Sequence, residues 1–118
     1  MPHDYTRFAT PAPHPGEHIR EDYLPAYNLT PGRLARAMGL GNARQRIERL
    51  VRGQQDITAD TALRLGRVFG TTPDFWLNLQ ATHDLSVAAL ANRDAIEAIQ
   101  TLEGMRCSQA TALSGSEA

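Results

Sequence analysis

Apolar residues recur along this chain at spacings of three and four, in a succession of short blocks separated by Pro, Gly and Thr, which is the pattern of amphipathic helices. Pro15-Gly16-Glu17 leads into Ile19, Tyr23 and Leu24, an apolar edge that Pro25 is expected to terminate. Thr30 followed by Pro31 reads as an N-cap with proline at the first helical position, after which Leu34, Ala35 and Met38 line one face until Gly39. The run G-N-A-R-Q-R-I-E-R-L-V-R-G, 41–53, predicts a third helix. At about 100° per residue with Arg44 as origin, Ala43, Ile47, Leu50 and Val51 fall between about 240° and 340°, while Glu48, Arg52, Gln45, Arg49 and Arg46 spread over about 40° to 200°. The arginines therefore stand off the buried stripe, and Gly53 supplies the stop.

Thr58 caps a fourth helix with Asp60 in its first turn and Ala62, Leu65, Val68 and Phe69 on its apolar face, ended by Gly70. Thr72-Pro73-Asp74 repeats the cap and opens a fifth, carrying Phe75, Trp76, Leu77 and Leu79. Beyond His83, the positions Leu85, Ala88, Ala89, Asn92, Ile96, Ile99 and Leu102 keep helical spacing and predict a further amphipathic helix to about Glu103. Strand-like alternation is absent, so the fold class is all-α. The expected organisation is an irregular arm over 1–13, marked by Pro2, Pro11 and Pro13, a helical domain over 14–83, a C-terminal amphipathic helix over 84–104 and a flexible tail over 105–118.

With 118 residues, 42% of them hydrophobic, the chain has material for one compact domain. Its single cysteine, Cys107, excludes an intramolecular disulfide, and neither a secretory leader nor an apolar run of the roughly 18 residues that span a bilayer is present. The expectation is a cytoplasmic protein with no membrane partner. A formal net charge of -1 conceals a marked asymmetry: residues 30–55 carry +5, residues 1–29 carry -2 and residues 56–118 carry -4. A basic block inside an acidic chain points to a local surface for a polyanion.

Catalytic patterns are missing. There is no phosphate-binding loop, dinucleotide fingerprint, H-E-x-x-H or nucleophile elbow, so neither an enzyme nor a cofactor is expected. His3, His14 and His18 lack further ligands at metal-site spacing, so no metal is expected. Cys107 reads as an incidental thiol, and Phe75 and Trp76 as core or near-interface packing rather than a ligand platform.

Two short helices joined by a turn, the second with an arginine-rich outer face, make a helix-turn-helix pattern. In that motif the first helix crosses the DNA backbone and the N-terminal turns of the second enter the major groove. Asn42, Arg44, Gln45, Arg46 and Arg49 have the side-chain types that hydrogen-bond base edges and lie in the matching half of the helix. Arg33, Arg36 and Arg52 are expected on flanking phosphates, and Thr30 and Gln54 complete that set. The competing reading is a solvated helix face; against it, Glu48 is the sole acid available to balance the arginines, whereas solvated helices interleave signs.

The runs H-P-G-E (14–17), I-T-A-D-T-A-L-R-L (57–65), F-G-T-T-P-D-F-W-L-N-L-Q (69–80) and D-L (84–85) resemble the HigA-type antitoxins, of the broader Xre/lambda-repressor-like helix-turn-helix class. The resemblance covers about Pro13 to Ala89. It implies a five-helix lambda-repressor-like domain, here with an added C-terminal helix, that forms a homodimer, binds double-stranded operator DNA, represses its own operon and neutralises a co-encoded endoribonuclease toxin. Three departures stand out. Pro31 replaces the glutamine that often follows the opening Thr and touches a phosphate, Gln54-Gln55-Asp56 replace a basic continuation after Gly53, and the segment from Gly39 to Ile47 is longer than usual. Two other readings remain open: a solitary regulator of the same class without a toxin, and a protein-interaction module with a vestigial helix-turn-helix that works through its C-terminal helix.

Overall fold

Thr30, Thr58 and Thr72 all stand in extended conformation and accept, through Oγ1, the backbone N–H three residues on, from Arg33 (3.2 Å), Thr61 (3.3 Å) and Phe75 (3.2 Å). These caps start three of the helices in a computed structural model that describes residues 8–105. His3, Cys107 and the outer parts of the expected arm and tail lie outside the described residues. The first helix, α1, consists of contiguous turns Pro15–His18, Ile19–Tyr23 and Leu24–Tyr27. It is followed by α2 (Pro31–Ala37), α3 (Arg44–Val51), α4 (Ala59–Phe69), α5 (Pro73–Ala91) and α6 (Arg93–Glu97). No strand occurs among the described residues.

Two boundaries differ from expectation. Pro25 does not end α1, because the preceding turn, Ile19–Tyr23, is a π-helix whose last bond runs from Leu24 N–H to the Ile19 carbonyl. The wider turn accommodates a residue without an N–H, and the helix continues to Tyr27 before Asn28 (φ 53°) ends it in the left-handed region. No new helix begins at residue 84 either: α5 runs through His83 without Gly or Pro, with Ser86 and Ala89 buried along it. The break comes at Asn92 (φ -121°, ψ 27°), whose side-chain amide joins its own N–H in donating to the Ala88 carbonyl. Beyond it the expected long helix is reduced to α6 and a single turn at 102–105, with Ile96, Ile99 and Leu102 exposed.

The core gathers Ile19 from α1, Leu34 and Ala35 from α2, Ile47 and Leu50 from α3, Ala62 and Leu65 from α4 and Trp76 from α5. Trp76 is fully buried, and its indole N–H donates to Thr71 Oγ1 at 2.7 Å, so the one polar atom of the ring is satisfied. Phe75 packs edge-on against it and remains partly exposed. Gln80 fixes the α3–α4 loop to α5: its Oε1 accepts the Ile57 N–H at 2.7 Å and its Nε2 donates to Asp56 and Asp84.

The irregular arm is pinned along the second half of α5. Ala12 N–H donates to Ser86 Oγ, His83 Nδ1 donates to the Ala12 carbonyl at 2.6 Å, and Arg93 reaches the Phe8 carbonyl. His14 then caps α1, its Nδ1 accepting the Gly16 N–H at 2.9 Å. Burial, and secondarily the adjacent His83 ring, lower the His14 pKa against the opposing pull of Asp56.

Candidate nucleic-acid interface

Helices α2 and α3 form the helix-turn-helix. At the end of α2, Gly39 adopts φ 76°, which lets its N–H bond to Arg36 O while the Leu40 N–H bonds to Ala35 O, closing the left-handed cap that turns the chain toward α3. From below, Arg64 of α4 pairs with Asp60 through Nε at 2.9 Å and donates Nη1 to the Met38 carbonyl at 2.8 Å, so the turn is clamped to α4. The other end of α3 is held by α1. Arg20 Nη1 donates to the Val51 carbonyl at 3.1 Å, and Gly16 lies so close that a Cβ there would sit 1.9 Å from the Leu50 carbonyl oxygen. With Ile47, Leu50 and Val51 buried, α3 has a fixed inner face and a free outer one.

On that outer face Arg44, Gln45, Arg49 and Arg52 are exposed. Arg44 Nε donates to Glu48 Oε2 at 2.8 Å, an i,i+4 pair in which the arginine side chain is 70% exposed and the glutamate 29%. The pair faces the start of α2 across a groove of ≈ 630 Å³ lined by Thr30, Pro31, Gly32, Arg33, Arg36, Arg44 and Glu48. An adjoining recess of ≈ 250 Å³ adds Gly41 and Asn42. Among the described residues, the guanidinium groups of Arg33, Arg36, Arg49 and Arg52 make no hydrogen bond or ion pair. Such uncompensated cations beside a groove create the positive potential that draws a phosphate backbone.

The ten candidates are thus not equivalent. The structure brings Asn42, Arg44, Thr30, Arg33 and Arg36 into the linked grooves and leaves Gln45, Arg49 and Arg52 exposed on or just beyond α3. Arg46 goes elsewhere: its Nη2 donates to Thr61 Oγ1 at 3.1 Å and lies 4.0 Å from Asp60, bracing α3 against α4. The helical wheel contained the signal, since Arg46 falls only about 40° from buried Leu50. Gln54 lies past the cap at Gly53; its backbone N–H bonds to Arg49 O, and its exposed side chain does not line the groove. The residues that sequence reasoning missed are Arg20, Arg64, Thr61 and Gly16, which position α3. Their contacts join elements 15 to 31 residues or more apart, so local periodicity carries no trace of them. Among the described residues no group of three or more His, Cys, Asp or Glu side chains converges as a metal site would require, and no helix is long and apolar enough to cross a membrane.

No protein-family model matches the chain. Over 78 residues it is 49% identical to Virulence-associated protein I of Dichelobacter nodosus, a stretch that is 66% of this chain and 70% of that protein. The Pseudomonas aeruginosa antitoxin HigA, solved with the higBA promoter, is 39% identical with a TM-score of 0.71, and the match covers 77% of this chain and 98% of that one. Antitoxin GraA in complex with its operator is 35% identical with a TM-score of 0.71, over 81% of this chain and 96% of that one.

Proposed function

The chain belongs to the HigA-type antitoxins, DNA-binding helix-turn-helix proteins, and from that membership we propose that it binds its own operator through α2 and α3, represses its own operon and neutralises a co-encoded endoribonuclease toxin. In this reading α2 lies across the sugar-phosphate backbone with Thr30, Arg33 and Arg36 on phosphates, joined by Arg52 and Gln54 at the far end of α3. Asn42, Arg44, Gln45 and Arg49 address base edges in the major groove, where arginine forks meet guanine O6 and N7 and the amides suit adenine. Arg46 acts as a brace, because its guanidinium is engaged by Thr61.

The observation that carries this reading is the outward groove of α2 and α3, flanked by guanidiniums without protein partners, on a helix immobilised at both ends. A groove of this kind on a domain this small touches few base pairs, which favours a homodimer on an inverted repeat with recognition helices about 34–36 Å apart. The test is an electrophoretic shift of DNA from upstream of the chain's own reading frame, with scrambled DNA as competitor. Specific, salt-sensitive retardation that disappears in the Arg44→Ala/Arg49→Ala double variant is expected. Equal or absent binding of both DNAs would turn the assignment to the protein-interaction module. For the toxin, the matching observation is a short adjacent reading frame encoding a basic protein whose toxicity this chain relieves; without such a frame, the solitary regulator takes its place.

A further inference from the structure

Glu48 is an anomaly on a surface built to meet phosphate. It is the sole acid in the +5 segment, it lines the groove, and it spends one carboxylate oxygen on the Nε of Arg44 at 2.8 Å. That bond leaves the two terminal nitrogens of Arg44 free as a donor fork. Among the described residues the other oxygen of Glu48 has no partner, so a free acceptor lies next to the fork. Gly32 leaves room beside this pair: even an added Cβ there would come no closer than 3.8 Å to the Arg44 stem, so α2 does not displace the arginine.

The major-groove edge of a G·C pair presents two acceptors, guanine N7 and O6, followed by a donor, the cytosine N4 amino group. Donor, donor, acceptor is the complement of that edge, and it is what the Arg44–Glu48 pair offers. An A·T pair interleaves its groups differently and would set the carboxylate against thymine O4. Resting on the DNA-binding reading above, we propose that Arg44 and Glu48 act as one unit that reads a whole G·C pair in each half-site. Glu48 determines specificity both by accepting a hydrogen bond from the cytosine N4 amino group and by aiming the Arg44 fork. Its charge also repels phosphate in any register that lacks that cytosine, so it lowers affinity for unrelated DNA while raising discrimination.

The experiment is selection from a randomised duplex library by the full-length protein, with wild type, Glu48→Gln, Glu48→Asp and Arg44→Ala compared by sequencing the bound pool and by affinity for one scrambled duplex. Circular dichroism confirms that each variant is folded. Wild type should enrich one invariant G·C pair per half-site. Glu48→Gln should reduce the preference at that position alone, by about 5- to 150-fold, the range of one good side-chain pair to a base, and should bind scrambled DNA more tightly. Glu48→Asp retains the charge but is one methylene shorter, which draws the carboxylate back from the cytosine amino group, so it should restore the weak scrambled binding without restoring the base preference. A folded Glu48→Gln with the wild-type base profile overturns the inference, as does a Glu48→Asp that reproduces wild type in both readouts. If wild type enriches no sequence at all, the DNA-binding reading itself fails and the inference fails with it.

Discussion

Replacing Gly16 by alanine tests whether α1 is the support of the recognition helix. The added Cβ would lie 1.9 Å from the Leu50 carbonyl oxygen, 2.8 Å from its carbon and 3.0 Å from Val51 Cα, all backbone atoms that no rotamer change can move. Relief therefore requires α1 to retreat from α3 by roughly 1 Å or more, which opens the contact among Ile19, Ile47 and Leu50 and stretches the Arg20 bond to Val51 O. Overpacking of this kind costs about 1–3 kcal/mol, and weakening a charged hydrogen bond adds about 1–2 kcal/mol for a partly exposed donor. Alanine returns about 1 kcal/mol of helix propensity. The net expectation is a loss of about 1–4 kcal/mol, a fall in Tm of about 5–25 °C for a domain of this size. Gly32→Ala is the internal control, since its Cβ would meet only the Arg44 side chain at 3.8 Å; it should gain about 0.5–1 kcal/mol. Thermal and urea unfolding of both variants decide the matter. Equal Tm values, or a Gly16→Ala protein as stable as wild type, would refute the claim that close backbone contact fixes α3.

Other outcomes follow from the same contacts. His14 caps α1 only while its Nδ1 is unprotonated, and its folded-state pKa is lowered from the ordinary 6.5. Its contribution to stability is therefore complete above pH 6.5 and is lost as pH falls through the lowered folded value, a decline that urea titrations should show in wild type and find flattened in His14→Asn. Trp76→Ala should cost about 3–5 kcal/mol by urea unfolding, because the ring is fully buried. Arg46→Ala should lose about 1–2 kcal/mol through Thr61, whereas Arg49→Ala should leave Tm unchanged. An Arg44→Ala/Arg49→Ala protein should lose operator binding and, if the proposed co-encoded toxin exists, still rescue growth of cells making it; failure of a folded double variant to rescue where wild type does would mean that the proposed DNA and toxin surfaces overlap.

The helices were legible because their punctuation is chemical and local. Thr30, Thr58 and Thr72 cap where hydroxyls precede apolar runs, and Gly39, Gly53 and Gly70 end helices with positive φ. The outer face of α3 was legible from periodicity, apart from Arg46, which borders the buried stripe and finds Thr61 on a helix that the wheel of α3 cannot show. The continuation of α1 through Pro25 was hidden because a π-turn has no compositional mark. Residue 84 looked like a beginning only because apolar spacing resumes there; nothing at His83 breaks the backbone, and the stop is the amide of Asn92. The strapping of the arm to α5 depends on pairs such as Ala12–Ser86, 74 residues apart, which no local pattern encodes.

The central claim is that the free arginines of α2 and α3 meet DNA in two distinct ways, and salt separates them. Log K falls with log salt at about -0.9 per phosphate neutralised. Affinity for operator and for scrambled DNA should be measured across a salt series for wild type, Arg49→Ala and Arg52→Ala. A dimer that loses one phosphate contact per subunit should have its slope reduced by about 2, so Arg52→Ala should show this change on both DNAs. Arg49→Ala should weaken operator binding by about 1–3 kcal/mol per base contact, with much less effect on scrambled DNA. Equal losses on both DNAs for the two variants would reduce Arg49 to an electrostatic contact, and no loss in either would contradict the account by leaving the arginine face of α3 to solvent.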